Sequence, residues 1–167
     1  RGGLRLTESA HMKDVLAFLR ILVNPQDNLS WNRILLQLDK VGPKTAQKIT
    51  SFIAAAPDPF EALTRYPAGK TWRASFEKLV NLFVELRSGD QRPPVLYDRI
   101  QNYYQPIFCQ LYADDYPKRQ KDLDQLSSIM KEYAELQQFI DDTTLDPPEA
   151  AAQDPAEANR LVLSTIH

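Results

Sequence analysis

The segment LDKVGPKTAQKI, residues 38–49, contains a compact turn between two apolar stripes, and it decides the fold. Its apolar positions are Leu38, Val41, Ala46 and Ile49. Its three lysines are Lys40, Lys44 and Lys48. Gly42 precedes Pro43, and proline is favoured at the first position of a helix. The segment therefore predicts two helices joined by a tight turn, with positive charge around the turn.

This arrangement is typical of a helix-hairpin-helix. In such a hairpin the free N–H groups at the start of the second helix point outward and, with the helix dipole, bind a phosphate. Lys44 and Lys48 lie four residues apart and can flank the same DNA backbone. Ala46 is small where the helices approach closely, and Ile49 and Phe52 are predicted to fill the core. Contacts to phosphates would make binding independent of base sequence and sensitive to salt.

The alternative is an ordinary helical hairpin whose lysines are merely solvated. The motif usually has glycine on both sides of its apolar turn residue, which is Val41 here, but Lys40 occupies the first of these positions. Lysine tolerates positive φ less well than glycine. The substitution predicts a distorted turn, although the charge of Lys40 suits a phosphate.

Composition describes an ordinary soluble globular chain of 167 residues, with 43% hydrophobic and 25% charged residues. No apolar run is long enough to span a membrane. The single cysteine, Cys109, excludes an internal disulfide, and with only two histidines it argues against a structural zinc site. Residues 1–50 carry eight Lys or Arg and four Asp or Glu, whereas residues 141–167 carry one Arg and six Asp or Glu. This asymmetry favours an anionic partner for the first region.

Apolar periodicity predicts further helices, and the fold class is all-α, a helical bundle containing the helix-hairpin-helix. The predicted helices run from a cap at Thr7 or Ser9 to Val23, over about 30–38 and 43–55, from 59, over 71–88, from 93 with an interruption at Pro106, and over 118–142. Short strand remnants are predicted at both termini, at 4–6 and 160–166. Between the last helix and the second remnant, 144–159 is predicted to be a flexible, proline-rich acidic linker. The missing first Met and the apolar LVLSTI near the end predict a piece of a longer chain.

The other candidate residues are weaker indications of function. Gly69, Lys70 and Thr71 imitate the end of a phosphate-binding P-loop, but the glycine required five residues earlier is Thr64, so a loop with a helix cap at Thr71 is predicted. A second set, on the predicted polar and solvated face of the first helix, consists of His11, Lys13 and Asp14. Residues predicted to pack inside are Cys109, Trp31, Trp72, Tyr103, Tyr104 and Tyr112.

Two end segments carry a resemblance to a known family. The segment GGLRLTESAHMKDVLAFLRILVNPQD, residues 2–27, resembles a segment of UvrD/Rep/PcrA-like superfamily 1 DNA helicases. The segment LVLSTIH, residues 161–167, resembles the start of their motif V. The hairpin and the segment RQKDLDQLSSIMKEY, residues 119–133, match the family in position. The resemblance implies subdomain 2B, a helical unit inserted into the RecA-like subdomain 2A.

The resemblance also implies boundaries and roles. Residues 1–7 would be an edge of subdomain 2A, 8–143 subdomain 2B, 144–159 the linker and 160–167 the start of the motif V strand. DNA-binding residues would be Lys40, Val41, Gly42, Lys44, Thr45 and Lys48, with Lys13 at the base of the subdomain and His167 as a motif V remnant. No catalytic or metal-binding residue is expected in this chain.

The implied function is that of an accessory duplex-DNA-binding and regulatory subdomain of an ATP-dependent 3′–5′ DNA helicase. ATP and Mg²⁺ would serve the parent helicase, whose ATPase motor this fragment lacks. Its partners would be double-stranded DNA at a fork, the remaining helicase subdomains and a repair or replication protein, in the bacterial cytoplasm at the nucleoid. The alternative function is a protein-interaction module that docks such a repair or replication partner.

Overall fold

The structure, a computed structural model, describes residues 6–144, which contain eight helices and no strand. The helices are α1 (Ala10–Val23), α2 (Asn28–Leu36), α3 (Pro43–Ala54), α4 (Pro59–Arg65), α5 (Arg73–Ser88), α6 (Pro93–Leu111), α7 (Tyr116–Met130) and α8 (Leu136–Thr144). The all-α prediction is confirmed for this part of the chain. Within it, no helix is both long and apolar enough to cross a membrane. Apart from Leu6, which lies in an irregular segment, and Thr144, which ends α8, the predicted strand remnants and linker lie outside the described residues.

Helix α1 is the centre of the bundle. Val15, Phe18 and Leu19 are fully buried, because α2, α6, α7 and α8 all pack against this helix. Trp31 of α2 is also fully buried, between the rings of Phe60 and Phe83 at centroid distances of 5.7 and 5.1 Å. These large apolar side chains dominate the burial that stabilises the fold.

The single long helix predicted over 118–142 is wrong, because α7 ends at Met130 and α8 begins at Leu136. The intervening turn closes through hydrogen bonds from Glu132 N to Ile129 O and from Tyr133 N to Met130 O. Neither proline nor glycine marks this break, and the apolar spacing continues across it. The break is decided by tertiary packing, since it returns α8 to α1 and buries Phe139.

The predicted interruption at Pro106 is also wrong, because α6 runs without a break through this residue. Proline lacks an N–H group and its ring crowds the carbonyl four residues earlier, here that of Asn102. Both residues are exposed. Water can therefore hydrate the free carbonyl, and the helix tolerates the proline.

Candidate nucleic-acid interface

The segment between α2 and α3 is a tight turn fixed by two apolar side chains. Leu38 N donates to Leu35 O at 3.1 Å, and Val41 N donates to Leu38 O at 3.2 Å. The side chains of Leu38 and Val41 are only 4% and 6% exposed. They anchor the turn to the core and leave the residues between them at the surface.

Lys40 adopts the backbone conformation that a glycine would favour. Its φ is 70°, and no other non-glycine residue in the described part of the chain has a positive φ. The left-handed region costs a non-glycine residue about 1–2 kcal/mol. The strain expected from the missing glycine is therefore held at Lys40 itself.

Lys40→Gly is expected to raise the free energy of unfolding by up to about 1 kcal/mol, because relief of the left-handed strain exceeds the entropy cost of glycine. Urea denaturation measures this change. The matched control is Lys48→Gly inside α3, which should destabilise by about 1 kcal/mol. Destabilisation by both exchanges would show that Lys40 carries no strain.

Gly42 is the N-cap of α3, with φ −95° and ψ −178°, and no side chain caps this helix end. Its extended backbone suits any residue, so the turn does not need glycine there for its conformation. A Cβ added to Gly42 would meet no other atom within 4 Å. What Gly42 provides is open space in front of the N–H groups of Lys44 and Thr45.

The lysines around the turn are available for contact with an anion. Lys40, Lys44 and Lys48 are exposed, and none forms an ion pair within residues 6–144. Lys44 and Lys48 lie one turn apart on α3. Together with the uncapped helix end, they form a cationic surface on one side of the hairpin.

Two other predicted DNA-binding residues are not part of this surface. Lys13 is exposed on α1, beside a groove that α1 forms with α2 and that Arg20 and Arg33 also line. His167 lies outside the described residues.

The packing between the two hairpin helices is partly as predicted. Ala46 and Ile49 are fully buried, as expected. The core position predicted for Phe52 is wrong: the residue is 37% exposed and packs against the Tyr66 ring at 5.2 Å. Ile53, one position further along the helix, is fully buried instead because it continues the stripe of Ala46 and Ile49.

The sequence matches the family model of the UvrD-like helicase C-terminal domain over residues 2–167. The chain belongs to this family. No curated protein and no solved structure matched the chain.

In this UvrD-like domain, the solvated face predicted for α1 is wrong for two of its three residues. Asp14 is only 4% exposed. Its carboxylate accepts hydrogen bonds from Arg33 Nε at 2.8 Å and from the hydroxyl of Tyr104. Burial and the neighbouring Asp14 charge raise the pKa of Tyr104, so its hydroxyl keeps the proton that it donates. Asp14 thus joins α1 to α2 and α6.

His11 is the second misplaced residue, with 2% exposure. Its Nδ1 lies 3.2 Å from Arg119 Nη1, and its Nε2 lies 2.8 Å from Asp122 Oδ2. A guanidinium group can only donate, so Nδ1 accepts and Nε2 carries the proton shared with Asp122. The His11 contacts hold α7 against α1.

The residues that imitate a P-loop, Gly69, Lys70 and Thr71, lie in the segment between α4 and α5. Helix α4, not a buried strand, precedes Gly69. Lys70 and Thr71 are exposed, and the cap predicted at Thr71 is wrong, since the N-cap of α5 is Trp72. Within residues 6–144, no group of three or more His, Cys, Asp or Glu side chains is placed to hold a metal ion.

The residues predicted to pack inside do so to different degrees. Trp31 and Tyr104 are fully buried. Those that are only half-buried are Trp72, Tyr103, Cys109 and Tyr112. Tyr112 lies beneath the guanidinium of Arg119, at 4.2 Å from the ring centroid, and so belongs to the same polar cluster as His11.

Proposed function

We propose that this UvrD-like domain is the helical 2B subdomain of an ATP-dependent 3′–5′ DNA helicase, joined to edges of subdomain 2A at 1–7 and 160–167. Its function is to bind duplex DNA at a fork and to regulate the motor. The parent helicase supplies the ATP and Mg²⁺ sites from other subdomains. It works in the bacterial cytoplasm, at the nucleoid.

The observation that carries this proposal is the backbone of the turn between α2 and α3, which we interpret as a helix-hairpin-helix. Lys40 accepts a positive φ of 70° at a position where the motif usually has glycine. Glycine at this position would keep the turn and relieve the strain, but it would remove the charge. Lysine at this position instead adds a charge beside the open end of α3.

The proposed contact uses the backbone and the lysines together. A DNA phosphate enters the open space at Gly42 and accepts hydrogen bonds from the N–H groups of Lys44 and Thr45, where the helix dipole also favours negative charge. The side chains of Lys40, Lys44 and Lys48 neutralise neighbouring phosphates. Such contacts carry no base information, so the domain binds duplexes of any sequence.

The test is the salt dependence of duplex binding by the double variant Lys44→Ala/Lys48→Ala. The unmodified domain should bind with a Kd of about 10⁻⁴ to 10⁻⁶ M, and each lost phosphate contact should flatten the log–log salt slope by about 0.9. We expect the double variant to bind all duplexes more weakly and to flatten the slope by up to about two units. Fluorescence anisotropy with two unrelated duplexes measures both effects.

The matched control is Lys118→Ala/Lys121→Ala, which removes the same charge from exposed positions on α7. Its salt slope should stay within about half a unit of the unmodified value, since these residues lie outside the proposed contact. The free energy of unfolding of each double variant should differ from that of the unmodified domain by no more than about 0.5 kcal/mol. Equal slopes in the two double variants would refute a phosphate contact at the hairpin and favour the protein-interaction module.

A further inference from the structure

A groove separate from the cationic side of the hairpin runs between the turn, α5 and α6. Its lining combines apolar and polar side chains, and two of its leucines, Leu36 and Leu111, are 41% and 52% exposed. Lys40 lies on the turn side of the groove and Lys78 on the α5 side. Lys78 is exposed and forms no ion pair with a residue of the described range 6–144. Two exposed leucines with a lysine at each side of the groove form a surface for a ligand that is both apolar and anionic.

Two side chains lining this groove contain polar atoms without hydrogen-bond partners in the described chain. These atoms are Nε2 and Oε1 of Gln37 and the hydroxyl oxygen of Tyr103, and all three are buried. An unsatisfied buried polar group costs about 1–3 kcal/mol. A ligand that pairs with these groups would recover that cost.

The unpaired atoms of Gln37 and Tyr103 favour one kind of ligand over another. DNA phosphates only accept hydrogen bonds, so they could pair with Gln37 Nε2 and Tyr103 but would leave Gln37 Oε1 facing another acceptor. A peptide group offers a C=O and an N–H together, and can pair with both ends of the Gln37 amide. Peptide backbone therefore fits the groove better than nucleic acid.

We propose that this groove binds a short extended peptide of a partner protein, with acidic side chains and alternate apolar residues. The apolar side chains pack between Leu36 and Leu111, and the acidic ones pair with Lys40 and Lys78. On binding, the unbranched Gln37 side chain rotates so that its amide pairs with the peptide backbone. Asp39, the acidic residue in the lining, repels an acidic side chain of the peptide beside the turn. The stronger of the two ion pairs is therefore the one with Lys78.

The proposed peptide site and the proposed DNA contact overlap at a single residue. Lys44, Thr45 and Lys48 do not line the groove. The shared residue is Lys40. A protein partner in the groove and a duplex at the α3 end could consequently compete through that one side chain.

The probe for this proposal is the blocked pentapeptide acetyl-Asp-Leu-Gly-Leu-Glu-amide, titrated into the ¹⁵N-labelled domain. We expect amide shifts to concentrate at Gln37, Ser75 and Leu111, and the Lys44→Ala/Lys48→Ala variant to bind the peptide unchanged. The peptide acetyl-Lys-Leu-Gly-Leu-Lys-amide should bind at least about fivefold more weakly, because like charges would meet at Lys78.

Three variants test the assignment to the groove. Leu111→Asp and Lys78→Glu should each weaken binding of the acidic peptide at least about fivefold. The control Val84→Asp places the same charge at a side chain that is also 52% exposed but lies in another groove, and it should have no effect. Gln37→Leu should weaken peptide binding while raising the Tm of the free domain, because it removes the unpaired buried amide that would pair with the peptide. A purely structural glutamine would not give this pair of opposite changes.

The proposal is overturned if the acidic peptide causes no shifts at the groove, if the basic peptide binds as tightly, or if Leu111→Asp and Val84→Asp behave alike. It is also overturned if the peptide fails to bind while Lys78→Glu weakens duplex binding, because the groove would then belong to the DNA surface. None of these results depends on whether the lysines of α3 contact phosphate.

Discussion

Asp14→Ala is expected to lower the free energy of unfolding by about 3 kcal/mol, because it removes the acceptor shared by Arg33, the Tyr104 hydroxyl and, at 3.5 Å, the Tyr112 hydroxyl. The Tyr104 hydroxyl would be left without its partner in the core. Arg33 would lose its ion pair, although its side chain is 37% exposed and stays partly hydrated. That exposure is why we place the expected cost at the lower end of the range for a broken buried pair.

Urea denaturation of the variant, together with Asp14→Asn, separates charge from hydrogen bonding. The asparagine variant keeps an oxygen that can accept from Tyr104, so it should lose less stability than Asp14→Ala. Asp98→Ala, at an exposed position on α6, should change stability by no more than about 0.5 kcal/mol. A cost below about 1 kcal/mol for Asp14→Ala would show that Tyr104 and Arg33 find other partners.

The misplacement of His11 and Asp14 by sequence reasoning has a definite cause. Both are polar residues between apolar ones on a helix, a pattern that usually indicates a solvated face. Their main partners stand far away in the chain: Tyr104 is 90 residues from Asp14, and Asp122 is 111 residues from His11. Only the packing of α6 and α7 on α1 brings these groups together. The spacing of residues within α1 therefore does not indicate these contacts.

The hairpin turn, by contrast, was accessible to sequence reasoning because its determinants are local. The helix start at Pro43 and the burial of Val41, Ala46 and Ile49 follow from spacing within a dozen residues. The break between α7 and α8 is the opposite case. It lacks a proline or glycine signal, and its reason lies in the burial of Phe139 in a core that α1 helps to form.

The groove beside the hairpin was also hidden from the sequence. Gln37 and Lys40 come from the turn, whereas Lys78 and Tyr103 come from two other helices. In the sequence, Lys78 is one lysine on a charged helix face and Tyr103 is one aromatic residue in an amphipathic pattern. Their common feature, the lining of one groove, exists only in three dimensions. The complementarity of the groove to an acidic peptide, in charge and in hydrogen bonding, is therefore visible only in the structure.

Gly42→Asp is expected to abolish most duplex binding while leaving the fold intact or slightly more stable. The open space at Gly42 accepts a side chain, and aspartate is a preferred N-cap residue, so its carboxylate should accept from the free N–H groups of α3. The gain in stability should be a few tenths of a kcal/mol. The same carboxylate would occupy the place of the DNA phosphate and repel it, at a cost of about 1–4 kcal/mol, or roughly fivefold to several hundredfold in Kd.

Gly42→Asn is the matched control, because it has the same shape and the same capping ability without the charge. It should weaken duplex binding less than Gly42→Asp, and the difference between the two should shrink as salt screens the repulsion. Anisotropy at two salt concentrations, with urea denaturation of both variants, measures these effects. If Gly42→Asp were as stable as expected and still bound duplex with unchanged affinity, no phosphate could approach the start of α3. The lysines of the hairpin would then be solvated surface charges.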